Sequence, residues 1–317
     1  LESTANRKAG AIIVGYDCVV CVKQVPDTGN ITGDAMKEDG TVNRQALPAI
    51  FNPEDLNALE AALAIRSAHG GTVTVITMGP GGACEVLRDC LFRGADRAIL
   101  ITDRRAAASD TLATSYILSQ AVRTVGRYDF VFCGRQAIDG DTAQVGPQMA
   151  EKLGISQVTY YEGLAMLNCR TARLRRNVGN GWEILETRLP VLVTVLDTAN
   201  EPRPAAVRRL MRYKRARAPI EIAREVAEAM PESTEPQKQT ECARRAAALA
   251  KEDLLIEQWD LDKVNADLKW CGMAGSPTKV HRIQSIVLTK EGYTEIAPTK
   301  EGVRQLIHEL IVDRTLG

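Results

Sequence analysis

The chain has 317 residues, 45% apolar and 25% charged, which suits one large globular domain or two smaller ones. Its 40 basic and 40 acidic residues cancel, so no global field points to nucleic acid or an anionic membrane. No apolar run approaches the ~20 residues of a membrane span, and LESTANRKAG holds no signal-peptide core; the start at Leu1 is compatible with an initiator or leader outside the sequence.

A first strand is expected within Ala11–Val25, where near-continuous apolar character fits burial on both faces of a parallel sheet. Pro26 and its polar neighbours should end its ladder, and residues 29–48 read as loop. Asn52-Pro53-Glu54-Asp55 then offers an N-cap, a proline at the first helical position and two carboxylates in the first turn. Leu56, Leu59 and Leu63 form a stripe that Gly70-Gly71 ends. A strand at 72–77 runs into Met78-Gly79-Pro80-Gly81-Gly82 and a helix over about 83–92.

After Gly94, a strand over Ala98–Ile101 leads to Ser109-Asp110-Thr111, where Ser109 or Asp110 should cap a helix carrying Ala113, Ile117, Ala121 and Val125. Residues 129–153 repeat the rhythm: an apolar run from Phe130 to Cys133, a polar loop from Gly134, and helical spacing at Val145, Met149 and Leu153. This alternation over 11–154 predicts a doubly wound α/β fold with a mostly parallel sheet. Beyond it, residues 158–189 read as antiparallel strands turning near Asn177–Gly181, and Pro190–Leu196 as another buried strand. Residues 203–217 carry seven basic side chains and no acid, either a solvated face or a subunit-facing patch. Residues 219–252 resemble an arm more than a core, and an amphipathic helix closes the chain over about 300–312. The expected division is an α/β nucleotide-binding domain over 11–217 and a C-terminal arm over 218–317.

The eight cysteines are scattered, several in apolar runs, which reads as reduced, buried thiols in a cytoplasmic protein. Cys18 and Cys21 have C-x-x-C spacing, but on a strand they point to opposite faces, so neither chelation nor disulfide exchange is expected. Three dispersed histidines make no evident metal site.

Four loops fall at expected C-terminal strand ends: 23–28, 77–82, 109–111 and 134–147. In an open parallel sheet these ends share one edge, where ligands bind. Thr77, Ser109, Thr111 and Thr142 offer hydroxyls, and Gly79 and Gly140 allow close backbone approach to a nucleotide. Neither G-x-x-x-x-G-K-[ST] nor G-x-G-x-x-G is present in place, which excludes a P-loop NTPase and a standard Rossmann dehydrogenase. Asp139 and Asp141 could serve acid–base work or magnesium, although loop shaping and helix capping suit them better. Arg135 is either a phosphate or anionic-ring partner or a surface charge.

Eight ordered blocks carry a family resemblance: CVKQVPDT (21–28), FNPEDLNALEAAL (51–63), TMGP (77–80), LRDCLFRGADRAIL (87–100), SDTLATS (109–115), CGRQAIDGDTAQVGPQ (133–148), LPVLVTV (189–195) and NEPR (200–203). Over most of 18–217 the chain resembles the β (small) subunit of electron-transfer flavoproteins, and GSPTKV (275–280) resembles the tail of members near the electron-bifurcating and nitrogen-fixation-linked branch. The resemblance implies a heterodimer with an FAD-bearing α subunit. This subunit would hold AMP in ordinary members, or a second FAD in bifurcating ones. Cys21, Val22 and Lys23 would line the adenosine side beside Asn52 and Asp55, with Thr77, Met78 and Gly79 as another wall. Ser109, Asp110 and Thr111 would hold ribose and phosphates, together with Gly134, Arg135, Gln136, Ala137, Asp139, Gly140, Thr142, Ala143, Gln144, Val145 and Gly146.

Bifurcating members take hydride from NADH. One electron goes through the α-subunit FAD to an acyl-CoA or hydroxyacid dehydrogenase, the other to ferredoxin or flavodoxin. Val25–Thr28 and Asp139–Thr142 resemble that branch. The flavin would carry the redox chemistry, so no acid–base catalyst is assigned. Ala199 stands where the family's docking loop often offers a Leu anchor, which implies another kind of partner or docking through other residues. The extended C-terminal arm would embrace the α subunit. The alternatives are a non-bifurcating β subunit with structural AMP and a stand-alone adenine-nucleotide sensor.

Overall fold

The computed structural model describes residues 15–27, 48–278 and 296–312. The loop expected over 29–48 lies outside these residues except for Pro48, as do Ala11–Val14, Thr28, Lys279 and Val280.

The strands and helices in chain order are β1 (Cys18–Cys21), β2 (Gln24–Pro26), β3 (Ala49–Phe51), α1 (Pro53–His69), β4 (Val73–Met78), α2 (Cys84–Arg93), β5 (Arg97–Ile101), α3 (Thr111–Val125), β6 (Phe130–Gly134) and α4 (Val145–Leu153). They continue as β7 (Ser156–Leu167), β8 (Thr171–Asn177), β9 (Trp182–Arg188), β10 (Val191–Val195), α5 (Val207–Tyr213), α6 (Pro219–Ala229), α7 (Glu235–Lys251), β11 (Glu257–Trp259) and α8 (Lys300–Val312). Nine strands form one sheet in the order β11-β5-β4-β1-β6-β10-β7-β8-β9. It is parallel except where β7, β8 and β9 pair antiparallel. The fold is the expected α/β class.

The uninterrupted apolar runs become central strands because a side chain on either face meets a helix layer. Along β1, Cys18 and Val20 enter one core while Val19 and Cys21 enter the other. Phe130 and Phe132 of β6 take the first layer, with α1 and α2; Val131 and Cys133 take the second, with α3 and α4. Helices on both faces are what an all-parallel centre needs.

Two expectations are corrected. The first strand does not run on to end at Pro26: the main sheet loses it after Cys21, and β2 instead pairs antiparallel with β3, Pro26 opposite Ala49. The chain turns there because the Lys23 N–H donates to the Asp55 carboxylate at 2.9 Å instead of to a strand. Second, the stretch 219–252 is more than an arm. α6 buries Ile222 and Val226, and buried Arg88 of α2 binds Glu221 and the Ala216 carbonyl at 3.0 and 3.1 Å. Beyond it, β11 extends the sheet beside β5, and Arg97 and Glu257 join the two strands through an ion pair at 2.5 Å. The basic run 203–217 is largely consumed within the chain: Arg203 binds Glu60, Arg217 binds Glu225, and Arg209 donates to the carbonyls of Leu91 and Ala95.

Candidate functional site

The winding direction reverses between β1 and β6. From β1 the chain moves outward through β4 to β5, then returns to place β6 on the other side of β1. In doubly wound sheets the loops leaving two such strand ends flank a crevice that binds ligands, which makes this switch point the candidate crevice. The loops at 22–27 and 134–147 flank it, with the end of β4 one strand farther out.

The first turn of α1 joins the two walls. Asn52, fully buried, occupies the N-cap position but caps nothing with its side chain. Its amide instead donates to the Gln136 carbonyl at 2.9 Å and accepts from the Ile138 N–H at 3.1 Å. Asp55 accepts the N–H groups of Lys23 and Gly134, both at 2.9 Å, thereby tying the ends of β1 and β6. Burial pushes its carboxyl up to about 7, against the pull of the Gly134 N–H, the Asn52 side chain and the Lys23 N–H. A Cβ at Gly134 would lie 2.6 Å from an Asp55 oxygen, so only glycine fits.

Glu54 accepts the Gln136 N–H at 2.8 Å and pairs with Arg135 at 2.9 Å. Its carboxyl is also raised by burial, with the Gln136 N–H and Arg135 opposing. Arg135 keeps one buried donor, Nε, without a partner. Lys23 reaches across the loop to Asp139 at 2.7 Å. Asp141 and Ala143 adopt positive φ of 48° and 52°, so the loop bends sharply before α4. No side chain caps α4 and no acid lies in its first turn, which leaves the positive end of the helix available to an anion. An added Cβ at Gly140 would meet nothing within 4 Å.

The opposite wall is the start of α3. Asp110 caps it through the Ala113 N–H at 3.0 Å, which decides between the two expected caps. Thr111 donates to the Gln144 side chain at 2.8 Å and Ser115 to Gln148 at 3.0 Å, so the first turns of α3 and α4 are locked side by side. The hydroxyl of Ser109 is engaged inside the protein, donating to the Ala106 carbonyl and accepting from the Gly272 N–H. Thr77 is buried within β4, whereas Met78 and Gly79 are partly open at its end. Cys21 and Val22 are buried too, and burial beside Asp55 pushes the Cys21 thiol up to about 12, far from a nucleophile.

The electron transfer flavoprotein domain matches residues 39–227. The chain belongs to the electron transfer flavoprotein family. It is 37% identical to an electron transfer flavoprotein subunit beta of Clostridium acetobutylicum over 292 residues, 92% of this chain and 96% of that one. Protein FixA of Azorhizobium caulinodans is 49% identical over 271 residues, covering 84% of this chain and 83% of its own. The CarD subunit of the caffeyl-CoA reductase-Etf complex of Acetobacterium woodii is 46% identical over 194 residues, 61% of this chain and 73% of that one.

Of the residues singled out in the sequence, Lys23, Asn52, Asp55, Gly134, Arg135, Gln136 and Asp139 form one bonded group, and Thr111 and Gln144 a second. Gly146 faces inward, where a Cβ would lie 2.7 Å from Thr194 and 2.9 Å from the Cys133 sulfur. Thr142 is exposed beside the bend, and Ala137 accepts the N–H groups of Gly140 and Asp141. Three contributors escaped the sequence. Glu54 reads there as a helix-dipole carboxylate, since its partners lie more than 80 residues away. Ser276 and Thr278 carry only the GSPTKV resemblance, yet both bind Asp110. Among the described residues no cluster of His, Cys, Asp and Glu suits a metal, and no helix is long and apolar enough to cross a membrane.

Proposed function

We propose that this chain is the β subunit of a heterodimeric electron-transfer flavoprotein, with an FAD in the crevice between β1 and β6 and a part in electron bifurcation. The single observation that carries the nucleotide reading is the uncapped N-terminus of α4, aimed into the loop that begins at the topological switch point. The residues fit such a group. A pyrophosphate needs donors and close backbone, and Arg135 Nε, the open surface at Gly140 and the first turn of α4 supply them. Met78, Gly79 and the main chain at 21–23 would wall the adenosine, and Thr111 would face the ribose or phosphates from α3.

A flavin there would supply hydride acceptance and one-electron transfer, while this chain binds, orients and shields it. The FAD reading is favoured over structural AMP by the Asp139-Gly140-Asp141-Thr142 and Val25-Pro26-Asp27 segments, which resemble the bifurcating branch, and by the likeness to FixA and CarD. In this reading NADH would be the hydride donor, and the two electron acceptors would be an acyl-CoA or hydroxyacid dehydrogenase, reached through the α subunit and its FAD, and ferredoxin or flavodoxin. Partly buried Ala199 leaves the 197–200 loop without a large apolar anchor, so the dehydrogenase would be gripped by other residues.

The test is to purify the α/β complex, release its nucleotides with acid and separate them. Two FAD per heterodimer is the expected result. One FAD with one AMP overturns bifurcation and leaves the AMP-bearing subunit; no nucleotide beyond the α-subunit FAD overturns the crevice assignment itself.

A further inference from the structure

The loop that starts α3 is held from outside by a distant stretch of the chain. Residues 260–278 fold over α3 with Leu261, Val264 and Cys271 buried in the second core layer. The Tyr116 hydroxyl accepts the Asp267 N–H at 2.9 Å. At the end of this stretch Ser276, only 4% exposed, accepts the Asp110 N–H at 2.8 Å and donates to the Gly272 carbonyl at 2.7 Å. Thr278 N–H donates to the second carboxylate oxygen of Asp110 at 3.0 Å, and Gly272 N–H donates to the Ser109 hydroxyl at 3.1 Å. Gly272 sits at φ +57°, where an added Cβ would lie 2.1 Å from the Arg105 carbonyl oxygen, so the two segments are in backbone contact.

These bonds fix both halves of the loop's function. One Asp110 oxygen caps α3 and the other accepts the Thr278 N–H, so both are engaged within the protein. Burial pulls the Asp110 carboxyl upward, yet the donors around it hold it below the ordinary value, and it stays an anion. Thr111, next in the chain, is thereby set toward Gln144 at the mouth of α4. Ser276 and Thr278 therefore hold Asp110, the residue before Thr111, from outside α3.

We infer that Ser276 and Thr278 are positioning residues of the nucleotide site, acting through Asp110 to hold Thr111 and the first turn of α3 against the bound nucleotide. This rests on the crevice reading above. A site whose wall is anchored before binding does not have to order that wall on binding, which slows release.

The experiment uses the full α/β complex with Ser276→Ala and, separately, Thr278→Pro, which deletes one N–H at an exposed residue. Release of the crevice nucleotide after dilution is followed by ultrafiltration and chromatography, and the melting temperature of the nucleotide-stripped complex is recorded. Each variant should release nucleotide roughly tenfold faster, the effect of about one hydrogen bond; the stripped complex should melt as wild type does for Thr278→Pro at its exposed site, and lower for Ser276→Ala, which leaves the Asp110 N–H and the Gly272 carbonyl without their buried partner. Ser276→Thr, which keeps the hydroxyl, should restore slow release relative to Ser276→Ala. Unchanged release in both variants overturns the inference. So does faster release from Thr278→Pro matched by a lower melting temperature of its stripped complex, which would mark a purely structural clamp. A wild-type complex with no crevice nucleotide would instead overturn the function on which the inference rests.

Discussion

At the scale of single residues the crevice depends on Asp55. Its two oxygens each accept a main-chain N–H, one from the end of β1 and one from the end of β6. Asparagine has the same shape but only one acceptor oxygen, so Asp55→Asn would set an amide N–H₂ against one of those donors. A buried donor without a partner costs ~1–3 kcal/mol, and that loss of stability is the expected result in urea unfolding of the isolated chain. The pH dependence adds a second, signed outcome. Burial raises the folded carboxyl to about 7, while an unfolded aspartate titrates near ~3.9. Between those values the folded state binds more protons than the unfolded one. The contribution is therefore fully present at low pH and is lost as pH rises towards neutrality. The stability gap between wild type and Asp55→Asn should shrink from about pH 4 to about pH 8; a gap independent of pH would mean that Asp55 is ionised throughout.

At the scale of elements, α4 shows how one loop divides between packing and binding. Gly146 opens the helix against β10 and β6, where a methyl group would press on Thr194 and the Cys133 sulfur. Gly140, six residues earlier, has open space around it. Gly146→Ala should cost ~1–3 kcal/mol in thermal or urea unfolding through overpacking. Gly140→Ala should leave unfolding unchanged and weaken nucleotide binding, because its methyl group would stand where the ligand approaches. Equal effects of the two on stability would contradict this division. The elements that carry α4 were legible in advance. The run Phe130 to Cys133 reads as a short strand ending at Gly134, and Val145, Met149 and Leu153 have helical spacing. Asn52 was legible in place but not in role: the N-cap fingerprint fixed where α1 begins, while the side chain serves a loop more than 80 residues away. Such long-range bonds leave no periodic trace. For the same reason β2 and β11 were not visible, since each is only three residues long and is defined by its partner strand.

At the scale of the whole molecule, the sheet and its switch point gather the chemistry in the first half, while the last described helix presents apolar surface with an unassigned purpose. In α8, Val303, Leu306, Ile307 and Ile311 are exposed by 50%, 37%, 46% and 55%, and their spacing places them on one side of the helix. That is a contact stripe more than a solvent face, since exposed apolar rows of this kind mark interaction surfaces. Under the β-subunit reading the row meets the α subunit. Leu306→Ser combined with Ile307→Ser removes the centre of the stripe without touching the sheet. The expected result is an affinity for the α subunit reduced by at least about tenfold in a titration of the two purified subunits, as for loss of central apolar anchors. The melting temperature of the isolated chain should not fall, because neither side chain is buried in it. Unaltered affinity would place the interface elsewhere on the chain. A fall in the isolated chain's stability would show that the stripe already has an intramolecular partner.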